Sequence, residues 1–153
     1  MIVVSDTSPL TALLTVGQAE LLVQIFGEVV IPEAVKAELS RSHSELPRWL
    51  RVQALQEQKQ ALVYAESVDR GEAEAIALAQ EIKADYLLMY ERKGRRLARA
   101  QGLPVVGLLG VILLAKRRGL IASARALLLR LDQEAGVYMS DKLKEDALKT
   151  VGE

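Results

Sequence analysis

The sequence predicts an α/β protein in three layers, α/β/α, with a central, mostly parallel sheet and extra helices toward the C-terminus. Three observations predict it. Ile2-Val3-Val4, Val29-Val30-Ile31 and Tyr86-Leu87-Leu88-Met89 are short, unbroken apolar runs, the pattern of strands buried on both faces. Segments with apolar residues at helical spacing separate these runs, and strands alternating with helices build a parallel sheet covered on both sides. The chain has 153 residues, half of them hydrophobic, which is enough for one domain with its own core. Residues 1–153 are therefore read as a single domain, with residues 121–153 as a helical C-terminal extension.

The elements follow in order. Ser5-Asp6-Thr7-Ser8-Pro9 ends the first strand. Asp6, Thr7 and Ser8 are all helix-capping types and Pro9 is tolerated in a first turn, so a helix follows, carrying Leu10, Leu13 and Leu14. Gly17 breaks it, and 18–25 reads as a second short helix closed near Gly27. Pro32 stops the second strand and starts a helix, with Glu33 near its N-terminus and Val35 and Leu39 on one face. Residues 41–47 are polar and read as a loop, 51–55 as a weaker third strand, and 56–66 as ambiguous, with a helix one choice. Asp69 and Glu72 have the spacing of a capping box, with Asp in place of the usual Ser or Thr, and open a helix reaching about residue 83. After the Tyr86–Met89 run come a basic helix over 92–101, a short strand at Val105-Val106, and helices over 107–118 and 121–133. Ser140 caps a last helix over 141–149.

Composition narrows the function. There are no cysteines, which excludes disulfides and thiolate metal sites and fits a reducing cytoplasm. Formal net charge is zero, which excludes a protein that coats nucleic acid by bulk charge but not one with a local basic patch. The N-terminus lacks the basic start of a signal peptide. The apolar stretch over 103–115 is broken by Pro104, Gly107 and Gly110, so no membrane span is expected.

In open α/β sheets, ligands bind beyond the carboxyl ends of the strands. Asp6 lies just past the first strand, and Tyr90 and Glu91 just past the Tyr86–Met89 run. Glu38 and Glu72 sit on helices whose ends can reach the same rim. Carboxylates converging there repel one another unless a cation lies among them, and such hard oxygen donors suit Mg²⁺ or Mn²⁺ rather than zinc. Each acid also has a plainer explanation. Local sequence supports capping and ligation equally for Asp6, and Glu72 is explained by its capping box alone. Glu38 fits surface charge as well, and Glu91 fits a solvated pair with Arg92 or Lys93. Glu74 and Glu81 are expected to face solvent.

Arg92, Arg95, Arg96 and Arg99 share one helical face, with Lys93 beside them. A solvated helix face is the simple reading. Its position beside the acidic rim also suits a phosphodiester backbone lying across the site. His43, the single histidine, sits in a polar loop and argues against histidine-based catalysis. Neither a phosphate-binding glycine loop nor a serine-hydrolase elbow is present. A receiver-like phosphoacceptor is disfavoured, because only Asp6 follows the first strand and no lysine follows Val105-Val106.

The opening Ile2-Val3-Val4-Ser5-Asp6-Thr7-Ser8-Pro9-Leu10 resembles that of PIN-domain proteins. So do Ile31-Pro32-Glu33-Ala34-Val35-Lys36-Ala37-Glu38-Leu39, the run from Asp69-Arg70-Gly71-Glu72, Glu91-Arg92-Lys93-Gly94-Arg95-Arg96, and Gly102-Leu103-Pro104-Val105. As an ordered set covering nearly the whole chain they are similar to the prokaryotic DUF3368 branch. The resemblance implies an Mg²⁺- or Mn²⁺-dependent ribonuclease acting on single-stranded or structured RNA. It also implies the toxin of a toxin–antitoxin pair, restrained by a small antitoxin and forming a homodimer. It places catalytic acids at Asp6, Glu38 and Glu72, which would hold the metal. Ser8 matches a hydroxyl position beside the metal and joins Arg92, Lys93, Arg95 and Arg96 as nucleic-acid-binding. The fourth acid of the pattern falls on Tyr90, a neutral phenol and poor Mg²⁺ ligand, with Glu91 the available substitute if the strand has already turned. The alternative implied by Tyr90 is a catalytically impaired PIN-like protein that binds nucleic acid or an antitoxin.

Overall fold

The apolar runs become the strands of one sheet. The computed structural model describes residues 1–153, with β1 (Ile2–Ser5), β2 (Glu28–Ile31), β3 (Leu50–Val52), β4 (Tyr86–Leu88) and β5 (Val105–Val106). Their order across the sheet is β3-β2-β1-β4-β5, and every neighbouring pair is parallel. The sheet is thus wholly parallel. The third strand is shorter than the 51–55 segment: only Leu50 is buried in it, and after the Gln53 amide bonds Ile31 O at 2.9 Å the chain leaves the sheet.

Nine helices connect and cover these strands: α1 (Thr7–Thr15), α2 (Glu20–Phe26), α3 (Glu33–Ser42), α4 (Lys59–Tyr64), α5 (Arg70–Glu81), α6 (Arg92–Ala100), α7 (Leu108–Arg117), α8 (Ala124–Ala135) and α9 (Asp141–Lys149). Alternation along each strand sorts side chains between two cores. Val3, Val29, Ile31 and Leu88 join apolar residues of α1, α2, α3, α7 and α8. Val4, Val30, Leu87 and Met89 join those of α4, α5 and α6. A fully buried Leu, Val or Ile contributes roughly 1.5–3 kcal/mol, so these two aliphatic cores hold the three layers together with almost no aromatic residues.

The ambiguous segment over 56–66 resolves into α4. Its entry is fixed by Glu81, whose exposed carboxylate accepts the Gln56 and Glu57 amides at 3.0 and 2.9 Å. The two last helices pack unequally. The α8 helix buries Ala124, Leu127, Leu128 and Leu131 against α1 and α7, whereas α9 buries Leu148 alone. Ser123 caps α8, and the Glu153 carboxylate reinforces that cap by accepting the Ala124 amide at 2.6 Å and the Ser123 hydroxyl at 2.8 Å. These donors, the hydroxyl first, hold the Glu153 carboxyl down to about 2. No single helix is long and apolar enough to cross a membrane.

Candidate active site

The chain builds β2 and β3 on one side of β1, then β4 and β5 on the other. The strand order therefore reverses between β1 and β4, and the crevice beyond the carboxyl ends of those two strands is where a doubly wound sheet binds ligands. Asp6 stands at this point. It is the first residue after β1, its amide donates to Leu88 O at 3.0 Å, and it is only 3% exposed. Although it occupies the N-cap position of α1, its side chain makes no capping hydrogen bond. Burial pushes its carboxyl up to about 7, against the pull of the nearby Thr7 amide. The charges of Glu72, Asp69 and Glu38 push it the same way as burial.

Glu38 reaches the site from α3, where Val35 and Leu39 bury the adjoining face. The Thr7 hydroxyl donates to Glu38 Oε2 at 2.6 Å. Gly71 makes room for this carboxylate: a Cβ there would lie 2.5 Å from Glu38 Oε1. Glu72 reaches the site from the first turn of α5, and both of its expected roles coexist. Its amide donates to Asp69 Oδ1 at 2.8 Å while its Oε2 accepts the Asp69 amide at 3.1 Å, completing the capping box. Its Oε1 lies toward Gly94, where a Cβ would come within 3.4 Å. Burial, then the charges of Asp69, Glu91 and Glu38, raise the Glu72 carboxyl against the stabilising bond from Asp69.

The β4 strand ends at Leu88, one residue earlier than the apolar run predicts, although the Met89 amide still donates to Val106 O at 3.1 Å. Glu91 takes the N-cap position of α6 without capping it, stays exposed, and lies near enough to Glu72 to raise its carboxyl. Tyr90 turns elsewhere. It is half-buried against the first core, and its hydroxyl donates to Tyr138 O at 3.0 Å, in the α8–α9 connection.

Asp6 thus feels the charges of Glu72, Asp69 and Glu38, in that order, and Glu72 those of Asp69, Glu91 and Glu38, so the predicted acids share one electrostatic neighbourhood with Asp69 and Glu91. The donor set suits a hard divalent cation: oxygens only and mutually repelling, with burial raising the Asp6 carboxyl. The tight convergence expected from the sequence is not met. As the side chains stand, no three of these acids are arranged to hold one ion; Glu38 accepts the Thr7 hydroxyl and Glu72 the Asp69 amide instead. Beside the acids, a cleft of about 680 Å³ is lined by Glu38 and Asp69 together with Glu33, Arg41 and Arg70.

Glu74 and Asp69 depart from expectation. Glu74 does not face solvent; it is 5% exposed and its carboxylate accepts the Ala34 amide at 3.2 Å and Arg70 Nε at 3.2 Å. It satisfies an otherwise unpaired donor at the N-terminus of α3, a structural role. Asp69 joins the acid cluster as well as capping α5; its capping motif concealed its nearness to Asp6. Ser8 is exposed and its hydroxyl makes no hydrogen bond; the hydroxyl that engages an acid is that of Thr7.

On α6, Arg92, Lys93, Arg96 and Arg99 are exposed and Arg95 is half-buried. None of them enters the chain's ion pairs, so Glu91 is not neutralised by Arg92 or Lys93. The Arg95 Nε is buried without a hydrogen-bond partner.

A family model described as PIN domain matches residues 2–153. No curated protein and no solved structure shows a significant match. With that single match running from the first strand to the last residue, the chain belongs to the PIN-domain family, in its DUF3368 branch.

Proposed function

We propose that this chain is a divalent-metal-dependent ribonuclease that hydrolyses phosphodiester bonds at the acid cluster beyond β1 and β4. One observation carries the reading: Asp6 is a buried carboxyl with three acids around it and no cation of the chain's own to balance it. Glu74, equally buried, has a cationic partner in Arg70; Asp6 has none, and a perturbed acid in a crevice at a sheet's switch point is a candidate functional group. Asp6, Glu38 and Glu72 would hold Mg²⁺ or Mn²⁺, with Glu91 near Glu72. When bound, the ion supplies the positive charge that activates water and offsets charge developing on the phosphate oxygens. The ionised form of Asp6 would be the form that holds the ion. Arg92, Lys93, Arg95 and Arg96 hold the strand by its phosphates, with Ser8 at the edge of the path. A toxin role, with a small antitoxin as restraint and a homodimer as the assembled state, extends the same reading.

Tyr90 favours a second reading. With its hydroxyl committed to Tyr138 O, it adds no carboxylate to the cluster, which describes a scaffold that binds RNA or an antitoxin without cutting. The test uses purified protein, single-stranded RNA, and Mn²⁺ or EDTA. The nuclease reading expects Mn²⁺-dependent cleavage that Asp6→Asn abolishes; cleavage surviving in Asp6→Asn overturns it. An inactive parent that gains Mn²⁺-dependent cleavage on Tyr90→Asp establishes the second reading.

A further inference from the structure

A second cavity, of about 250 Å³, opens between the start of α6 and the start of α7. It is lined by Arg92 and Arg95 on one side, Gly107 and Leu108 on another, and Tyr138 at its mouth, with Glu91 where it meets the acid cluster. Four features define what it takes. Both arginines line the cavity and lack an acidic partner, Arg92 exposed and Arg95 half-buried in its wall. The N-terminus of α7 has no side-chain cap, so its amide groups and its positive dipole end are free for an anion. Gly107 brings the start of α7 close to Arg95, whose Nη1 lies 3.4 Å from where its Cβ would be. Tyr138 is 77% exposed in a chain with few aromatics, yet its backbone is fixed by the Tyr90 hydroxyl.

We infer that this cavity is a nucleotide subsite for a single strand. A phosphate lies at Arg92, Arg95 and the α7 N-terminus, and the adjoining base stacks on the Tyr138 ring. The size agrees: the cavity is below the range of about 300–1,000 Å³ usual for enclosed small-molecule pockets, which suits a phosphate and sugar with the base outside on an exposed ring. Stacking on a tyrosine is sequence-tolerant, because every base presents a π face. Tyr90 then has a positioning role: in place of an acid, it anchors the α8–α9 connection so that Tyr138 stands beside the arginines. The inference rests on the proposed nuclease reading only for where the strand leads next, toward Glu91 and the acids.

The experiment measures binding without cleavage. Short single-stranded RNA carrying 2-aminopurine is titrated with full-length Asp6→Asn protein, following polarisation and 2-aminopurine fluorescence over a series of salt concentrations. Tyr138→Ala should weaken binding about tenfold and abolish the stacking quench, with the salt dependence unchanged, while Tyr138→Phe keeps both. Tyr90→Phe, which loses only the anchor, should weaken binding less than Tyr138→Ala. Arg92→Ala and Arg95→Ala should each flatten the slope of log affinity against log salt by about 0.7, as expected for one lost single-strand phosphate contact. Parent-like affinity and quench in Tyr138→Ala, or no RNA binding by the parent, overturns the subsite. Tyr138-dependent binding in a chain that never cleaves RNA leaves the subsite standing while the nuclease reading falls.

Discussion

Replacing Asp6 by Asn should make the metal-free protein more stable at about pH 8, although the substitution falls in a fully packed position. The carboxyl rises from the ordinary 3.8 to about 7 in the fold, with burial the largest cause and Glu72, Asp69 and Glu38 adding to it. Each tenfold change in proton affinity is about 1.4 kcal/mol, so ionising Asp6 in the folded chain costs about 4 kcal/mol as an upper figure. The sign follows from linkage. A group whose value is raised on folding favours the fold fully below about 3.8, and that contribution is lost as pH rises through about 7. Above that point the parent carries an uncompensated buried charge, while Asn fills nearly the same volume and never ionises. Its amide can also donate to the surrounding carboxylates. Urea unfolding in EDTA should find Asp6→Asn more stable by roughly 1–4 kcal/mol at about pH 8, with the gap closing toward about pH 4. Mn²⁺ should reverse the order, stabilising the parent and not the variant. An Asp6→Asn protein less stable than the parent at about pH 8 in EDTA would refute the claim that this acid is held against its own preference.

Glu74 supplies the opposite expectation at equal burial. Glu74→Ala removes the partner of the Ala34 amide and should cost about 1–3 kcal/mol in urea unfolding, with Mn²⁺ affinity unchanged; an affinity that drops with it would make Glu74 part of the site. Gly71→Ala tests the fit of Glu38. Alanine favours the helix by about 0.5–1 kcal/mol, but its Cβ displaces the Glu38 carboxylate from Thr7, so stability should hardly change while calorimetric Mn²⁺ affinity falls about tenfold. Unaltered affinity would exclude Glu38 as a ligand.

Local rules were enough for much of this fold. Ile2-Val3-Val4 and Val29-Val30-Ile31 were legible as strands because their β-branched runs are too short for helices and too apolar for an edge. The Asp69–Glu72 box and the Ser140 cap were legible because capping depends on neighbours three residues apart. Glu74 was misread for a reason also present in the sequence. From Gly71 to Ala79 the α5 helix is built largely of glycine and alanine, and every residue in that span is buried. Small residues all round let other elements close in on every side, so charge on such a helix signals a buried partner, not solvent. Asp6, Glu38 and Glu72 were legible only as candidates, since strand order decides which ends meet. The direction of Tyr90 was not legible, because its partner lies 48 residues away in a connection with no pattern of its own.

The reciprocal bond between Asp69 and Glu72 makes the first turn of α5 a reporter of the cluster beside it. Any ion that draws the Glu72 carboxylate inward takes it from the Asp69 amide, so loading the site loosens the turn that presents it. Occupancy could then be followed from the hydrogen-exchange rate of that one amide, with no substrate.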